Sequence, residues 1–155
     1  MLQRTMPYIV FILLMLVTGF AAGFATMQAT APGGWYGELA KPWFNPPSWV
    51  FAPVWTVLYI LIGLAGGAVY RWDPQSRAVK WWFVQLVLNF AWSFLFFFFK
   101  LPLAALADIF LLLFAIIAFM RSTRGEVSLA VWCFWPYLLW VSFATLLNAS
   151  IVALN

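Results

Sequence analysis

Five apolar runs, at about 8–27, 49–69, 81–99, 101–120 and 129–148, take up about two-thirds of the 155 residues, and Asp108 is the one charged side chain inside them. A helix needs about 20 apolar residues to cross a bilayer core roughly 30 Å thick, and each run has that length. The runs are continuous rather than alternating in polarity, which argues for helices and against a membrane barrel. Short connections favour consecutive helices packing as neighbours. The expected fold is an all-α membrane protein, a bundle of five transmembrane helices in a single domain over 1–155. The first run follows Arg4 and is trailed by small residues, as in a secretory signal. It exceeds the roughly 7–15 residues of a signal's apolar core and is read as a retained helix.

The charges narrow the function classes. They make up 8% of the chain, where a soluble domain carries about 25%. That is too little to cover a water-facing surface, which excludes an ordinary soluble enzyme. The chain has no histidine and one cysteine, Cys133, so neither a metal site nor a disulfide framework within one chain is expected. Eight basic residues scattered through apolar sequence read as topology signals, and no nucleic-acid partner is expected. Arg4, Arg71, Arg77, Lys80, Arg121 and Arg124 fall on one side, Lys41 and Lys100 on the other. The chain reads as a multi-pass integral membrane protein, and if it sits in an inner membrane this distribution places the N-terminus in the cytoplasm and the C-terminus outside.

The longest connection, 28–48, then faces the exterior. It reads Trp35-Tyr36-Gly37-Glu38-Leu39-Ala40-Lys41-Pro42-Trp43-Phe44-Asn45-Pro46-Pro47. Its three prolines fix φ and withhold amide donors, so it is a shaped cover rather than a floppy linker. Its aromatics suit either a belt at the headgroup level or a lid over a pocket at that end of the bundle.

Polar groups within the spans are costly and therefore informative. Gln85, Asn89 and Trp92 lie at i, i+4 and i+7 on one face of the third span, beside Ser93. Tyr137, Trp140, Ala144 and Asn148 form a similar stripe on the fifth, with Pro136 and Thr145, and the second offers Pro53, Trp55, Thr56 and Tyr59. These side chains supply stacking surfaces with amide and indole donors, suited to a flat, aromatic, partly anionic ligand. They equally suit polar contacts that glue helices together. Asp108 is a functional carboxylate, a neutral protonated acid, or an acid paired with an Asn or Ser on a neighbouring helix. Gly19-xxx-Gly23 and Gly63-xxx-Gly67 let helices approach closely, within one chain or between two.

Taken together, these strings resemble the translocator protein family, known in bacteria as tryptophan-rich sensory proteins and in animals as the peripheral benzodiazepine receptor. The resemblance rests on Trp35-Tyr36 and Lys41-Pro42-x-Phe44-x-Pro46-Pro47 in the first loop, and Trp55-Thr56-x-Leu58-Tyr59 in the second span. It continues through Gln85-x-x-x-Asn89-x-x-Trp92-Ser93 and Pro136-Tyr137-x-x-Trp140-x-x-Phe143-Ala144-Thr145-x-Leu147-Asn148. It implies a five-helix bundle, usually a homodimer, with a pocket between the helices near the first loop. The implied ligands are porphyrins (protoporphyrin IX or haem), bound as ligands rather than as a tightly held cofactor. Membrane lipid and synthetic isoquinoline or benzodiazepine ligands are further implied partners. Some bacterial relatives promote light- and oxygen-dependent breakdown of protoporphyrin, and the tryptophans implicated there correspond to Trp55 and Trp140. Tyr36, Trp43, Tyr59, Asn89, Trp92, Tyr137, Phe143 and Ala144 fall at positions expected to line or cover the pocket.

Two features depart from what family members bind. The cholesterol motif at the end of the fifth span needs a Tyr and then a basic residue; after Leu147 this chain has neither, so specific sterol recognition through that motif is not expected. With no histidine, haem iron lacks its common proximal ligand, and iron-free protoporphyrin should bind at least as well as haem. A transporter of porphyrins or lipids, and a membrane scaffold without turnover, remain the alternative readings.

Overall fold

Within a bilayer no water satisfies exposed backbone groups, so each apolar run must close its own hydrogen bonds as a helix. The computed structural model describes residues 2–155, with side chains from residue 5 onward; Arg4, one of the orienting cations, lies outside the described side chains. The helices are α1 (Leu2–Thr30), α2 (Trp35–Glu38), α3 (Phe51–Trp72), α4 (Arg77–Ser93), α5 (Pro102–Thr123) and α6 (Ser128–Leu154). Among the described residues there is no strand, and five of the helices are long and apolar enough to span a membrane. The protein is an all-α membrane protein built as a five-helix bundle, with α2 a single turn inside the first loop.

Caps set several boundaries beyond the apolar runs. Ser76 Oγ accepts the Val79 amide at 3.4 Å, which starts α4 at Arg77 rather than at Trp81. Pro102 opens α5, where its missing amide costs nothing. Between them a π-helical turn, Phe94–Phe98, widens the end of α4. Lys100, in the left-handed region with φ 56°, reverses the chain, and the Leu101 amide donates to Leu95 O at 2.9 Å.

Around the bundle, α1 packs on α3, α3 on α6, α6 on α5 and α5 on α4, and α4 closes the ring against α1. This corrects the expectation of consecutive neighbours at one step. Although only residues 73–76 join α3 to α4, the two helices meet only marginally. Glycine gives the reason. A Cβ on Gly63 would sit 2.5 Å from Ile12 Cα, and one on Gly67 2.6 Å from Tyr8 Cα. Without those carbons α1 lies backbone to backbone on α3 and takes the place beside it. A thin tie between α3 and α4 survives, with Trp82 Nε1 donating to Ile62 O at 2.9 Å.

Candidate functional site

The polar stripes of α4 and α6 face one another across the bundle. Tyr59 OH donates to Asn89 Oδ1 at 3.2 Å, Asn89 Nδ2 to Tyr137 OH at 3.0 Å, and Tyr137 OH to Gln85 Oε1 at 2.9 Å. Gln85 Nε2 closes the chain on Trp82 O at 2.9 Å. Towards the first loop, Trp92 Nε1 donates to Asn148 Oδ1 at 3.2 Å, and Asn148 Nδ2 to Pro102 O at 2.8 Å. All of these side chains are buried. The network joins α3, α4, α5 and α6, and its geometry is that of polar groups satisfying one another where no water reaches.

Beside this network lies a cavity of about 430 Å³ between α1, α3 and the end of α4. Trp55 and Tyr59 form part of its wall, stacked on each other with ring centroids 5.3 Å apart. Trp92 and Ser93 close it from α4, Phe97 from the π-helical turn, Phe51 from the start of α3 and Ser48 from the turn that leads into it. The α1 wall is Gly19, Gly23, Thr26 and Thr30, with Phe20 and Met27 at the outer edge. A Cβ on Gly23 would meet nothing within 4 Å, whereas one on Gly19 would strike the Tyr59 ring. Thr26, Thr30 and Thr56 turn their hydroxyls back onto Ala22 O, Thr26 O and Ala52 O. The lining therefore offers aromatic faces and small residues, and it contains no charged side chain.

The first loop folds over the same end. Tyr36 is buried against Phe51, Phe96 and Phe97, and its hydroxyl donates to Asn45 Oδ1 at 2.7 Å. Burial raises its pKa above the ordinary tyrosine value, and the Asn45 hydrogen bond offsets part of that rise. Lys41 Nζ donates to the carbonyls of Tyr36, Gly37 and Leu39 at 2.7–3.2 Å, tying off the C-terminal side of α2. The loop is clasped to the end of α6, where Asn155 accepts the Ala40 amide and donates to the Ala40 carbonyl, both at 3.0 Å.

The expected site residues are not all brought together. Trp55, Tyr59 and Trp92 line the cavity, while Tyr36, Trp92 and Ala144 surround a void of only about 20 Å³ beneath the loop. Asn89 and Tyr137 are spent on the hydrogen-bond network. Trp140 and Phe143 line a separate apolar groove between α3 and α6, so the two tryptophans occupy different recesses. Phe51 lines the cavity wall and holds its ring 6.1 Å from that of Trp140. Trp140 Nε1 is buried with no hydrogen-bond partner among the described residues. Trp43 is 95% exposed and touches Phe44, whose own ring reaches Phe143. Asp108 is buried on α5 with Oδ2 unpartnered among the described residues. Sequence reasoning missed the α1 wall. Its only trace was the Gly19-xxx-Gly23 spacing, because glycine and threonine carry no chemistry that marks a site.

The chain is similar throughout its length to known proteins. A profile of the TspO/MBR family matches residues 11–154. A tryptophan-rich protein TspO of Archaeoglobus fulgidus is 41% identical over 151 residues, covering 93% of this chain and 94% of that protein. A tryptophan-rich sensory protein of Cereibacter sphaeroides is 37% identical, covering 80% and 78%. The translocator protein of Bos taurus is 36% identical, covering 81% and 79%.

Proposed function

The chain belongs to the TspO/MBR family, and from that premise we propose that it is a porphyrin-binding sensory or regulatory membrane protein. Protoporphyrin IX is the ligand in this reading, and the α1–α3–α4 cavity is where it binds. The observation that supports it best is the stacked Trp55–Tyr59 pair in the wall of an uncharged cavity of about 430 Å³, a surface suited to a flat aromatic ring. Haem is the poorer fit. The chain has no histidine; among the lining residues only Met27 and Tyr59 bear a group that can ligate iron, and the Tyr59 hydroxyl is engaged by Asn89. Synthetic isoquinoline or benzodiazepine ligands compete for the same aromatic wall. The sterol motif being absent, no specific cholesterol site is proposed.

Where light and oxygen reach the complex, the porphyrin supplies the photochemistry. Excited protoporphyrin passes its energy to oxygen or exchanges an electron with a neighbouring indole. Trp55 is the indole at the cavity wall, and Trp140 acts from behind Phe51. Titration of the purified protein with protoporphyrin IX and with haem, in the dark and under illumination, tests the proposal. Protoporphyrin should bind at least as tightly as haem, and Trp55→Phe should change its photodecay more than Trp140→Phe does. Much tighter haem binding with a six-coordinate spectrum would overturn the ligand assignment. Equal decay and products in wild type and the double tryptophan variant would end the photochemical role.

A porphyrin or lipid transporter is the second reading, and one observation favours it. Phe20 and Met27 of the cavity edge are 83% and 62% exposed, so the cavity opens sideways where lipid would lie. Energy-dependent uptake into vesicles would select this reading, and failure to bind any porphyrin at micromolar concentration would select a scaffold. The bias of basic residues toward one end supports a cytoplasmic N-terminus. Pairing with a second copy is left to the outer apolar faces, since Gly19, Gly63 and Gly67 are used within the chain.

A further inference from the structure

At the end of the bundle opposite the first loop, the last turn of α3, the first turn of α4 and the last turn of α5 surround a recess of about 510 Å³. Trp72, Ser76, Arg77, Trp81, Arg121 and Ser122 form most of its wall. The two arginines come from different helices, and neither makes a hydrogen bond or ion pair among the described residues. Arg71 and Lys41, by contrast, are engaged: Arg71 donates to Tyr8 OH at 3.3 Å and lies over its ring, and Lys41 holds three carbonyls. Two unpaired guanidinium groups on one recess are a planar, multi-donor match for a phosphate. The one acid in the wall, Asp73, has an oxygen already accepting the Gln75 amide at 2.9 Å, so positive charge predominates.

The surroundings favour a lipid over a soluble anion. Trp72 and Trp81 provide indoles suited to the interface between headgroups and hydrocarbon. Trp81 meets Phe114 edge-on at 5.6 Å, and exposed Phe114 and Ile117 continue the apolar surface of α5 into the span. We propose that this recess binds an anionic phospholipid of the leaflet at the basic end. Its phosphate lies between Arg77 and Arg121, and an acyl chain runs along Trp81 and Phe114. The site is separate from the cavity and independent of what that cavity binds.

The test is native mass spectrometry of the delipidated full-length protein in neutral detergent, titrated with dioleoyl phosphatidylglycerol, dioleoyl phosphatidylcholine and inorganic phosphate. Wild type should retain one phosphatidylglycerol in preference to phosphatidylcholine, and inorganic phosphate should not displace it. A basic residue near anionic lipid contributes about fivefold, so Arg77→Gln with Arg121→Gln should weaken retention about 30-fold. Lys80→Gln with Arg124→Gln removes the same charge at the same end but outside the recess, and should change retention little. Both arginines are exposed, and unpartnered among the described residues, so a melting curve should show the variants folded; Arg121→Gln alone, at about fivefold, serves if the double variant is not. Equal loss in both double variants would reduce the site to general surface charge. Unchanged retention in the recess variants, or displacement by phosphate alone, would overturn the proposal.

Discussion

Tyr137→Phe separates structural glue from ligand contact at the centre of the bundle. The substitution removes one oxygen and leaves the ring against Phe134 and Trp55. That oxygen accepts from Asn89 Nδ2 at 3.0 Å and donates to Gln85 Oε1 at 2.9 Å; all three side chains are at most 1% exposed. A buried polar group left unpaired costs about 1–3 kcal/mol, so two orphans set an upper range of about 2–6 kcal/mol. The membrane lowers that figure, because separated helices in lipid also find partners; measured interhelical bonds average about 0.6 kcal/mol and reach about 1.7. Two bonds on that scale give about 1–3 kcal/mol, and a loss of about 2 kcal/mol is expected. Reversible unfolding in mixed micelles with rising detergent denaturant measures it. Gln85→Met and the double variant complete a cycle, in which the coupling should be about 1 kcal/mol. Protoporphyrin affinity should not change, because this hydroxyl faces Asn89 and Gln85 rather than the cavity. A single-variant loss below about 0.5 kcal/mol, or no coupling, would refute the structural assignment. Weaker porphyrin binding at unchanged stability would move Tyr137 into the ligand site.

Three further outcomes follow from the same geometry. Gly63→Ala places a carbon 2.5 Å from Ile12 Cα and should cost about 1–3 kcal/mol in a detergent melt, whereas Gly23→Leu projects into open space, should leave the melt unchanged and should cut porphyrin affinity by filling the cavity. The raised pKa of Tyr36 means that, as pH climbs past the ordinary tyrosine value, the unfolded chain loses this proton before the folded one, so stability falls with rising pH there; Tyr36→Phe should remove that part of the alkaline slope in a pH series of melting curves. Asp108 leaves Oδ2 unpartnered among the described residues, so Asp108→Leu should raise stability by about 1 kcal/mol or more in the mixed-micelle assay; a loss of that size would mean that the carboxyl serves a bound ion or ligand.

The five helices were legible because lipid leaves the backbone no other choice, and only their ends, decided by Ser76 and Lys100 at the polar margins, escaped the hydropathy pattern. The i, i+4, i+7 stripe of Gln85, Asn89 and Trp92 was legible as one face for the same reason that it is buried, since a polar face inside a membrane must find a partner. Its partner was not legible, because helix order depends on which backbones approach most closely. Gly63 and Gly67 bring α1 onto α3, and sequence spacing could not tell an intramolecular use of that stripe from a dimer contact. The α1 wall of the cavity was invisible for a related cause: a cavity is made where side chains are small, and small residues announce nothing.

The separation of Trp55 from Trp140 shows how far motif reasoning reaches. Matching strings assign both indoles to one pocket, and the fold does bring their helices together. The Phe51 ring, however, forms part of the cavity wall and lies 6.1 Å from the Trp140 ring, so a ligand resting on Trp55 meets Phe51 before it meets Trp140. One macrocycle touching both indoles would have to span two recesses, and Phe51, which borders the first, also touches Tyr36. Tyr36 is held by Asn45, and its own carbonyl is held by Lys41. Trp140 and Tyr36 of the first loop thus share one aromatic neighbour, Phe51, which also borders the cavity that holds Trp55.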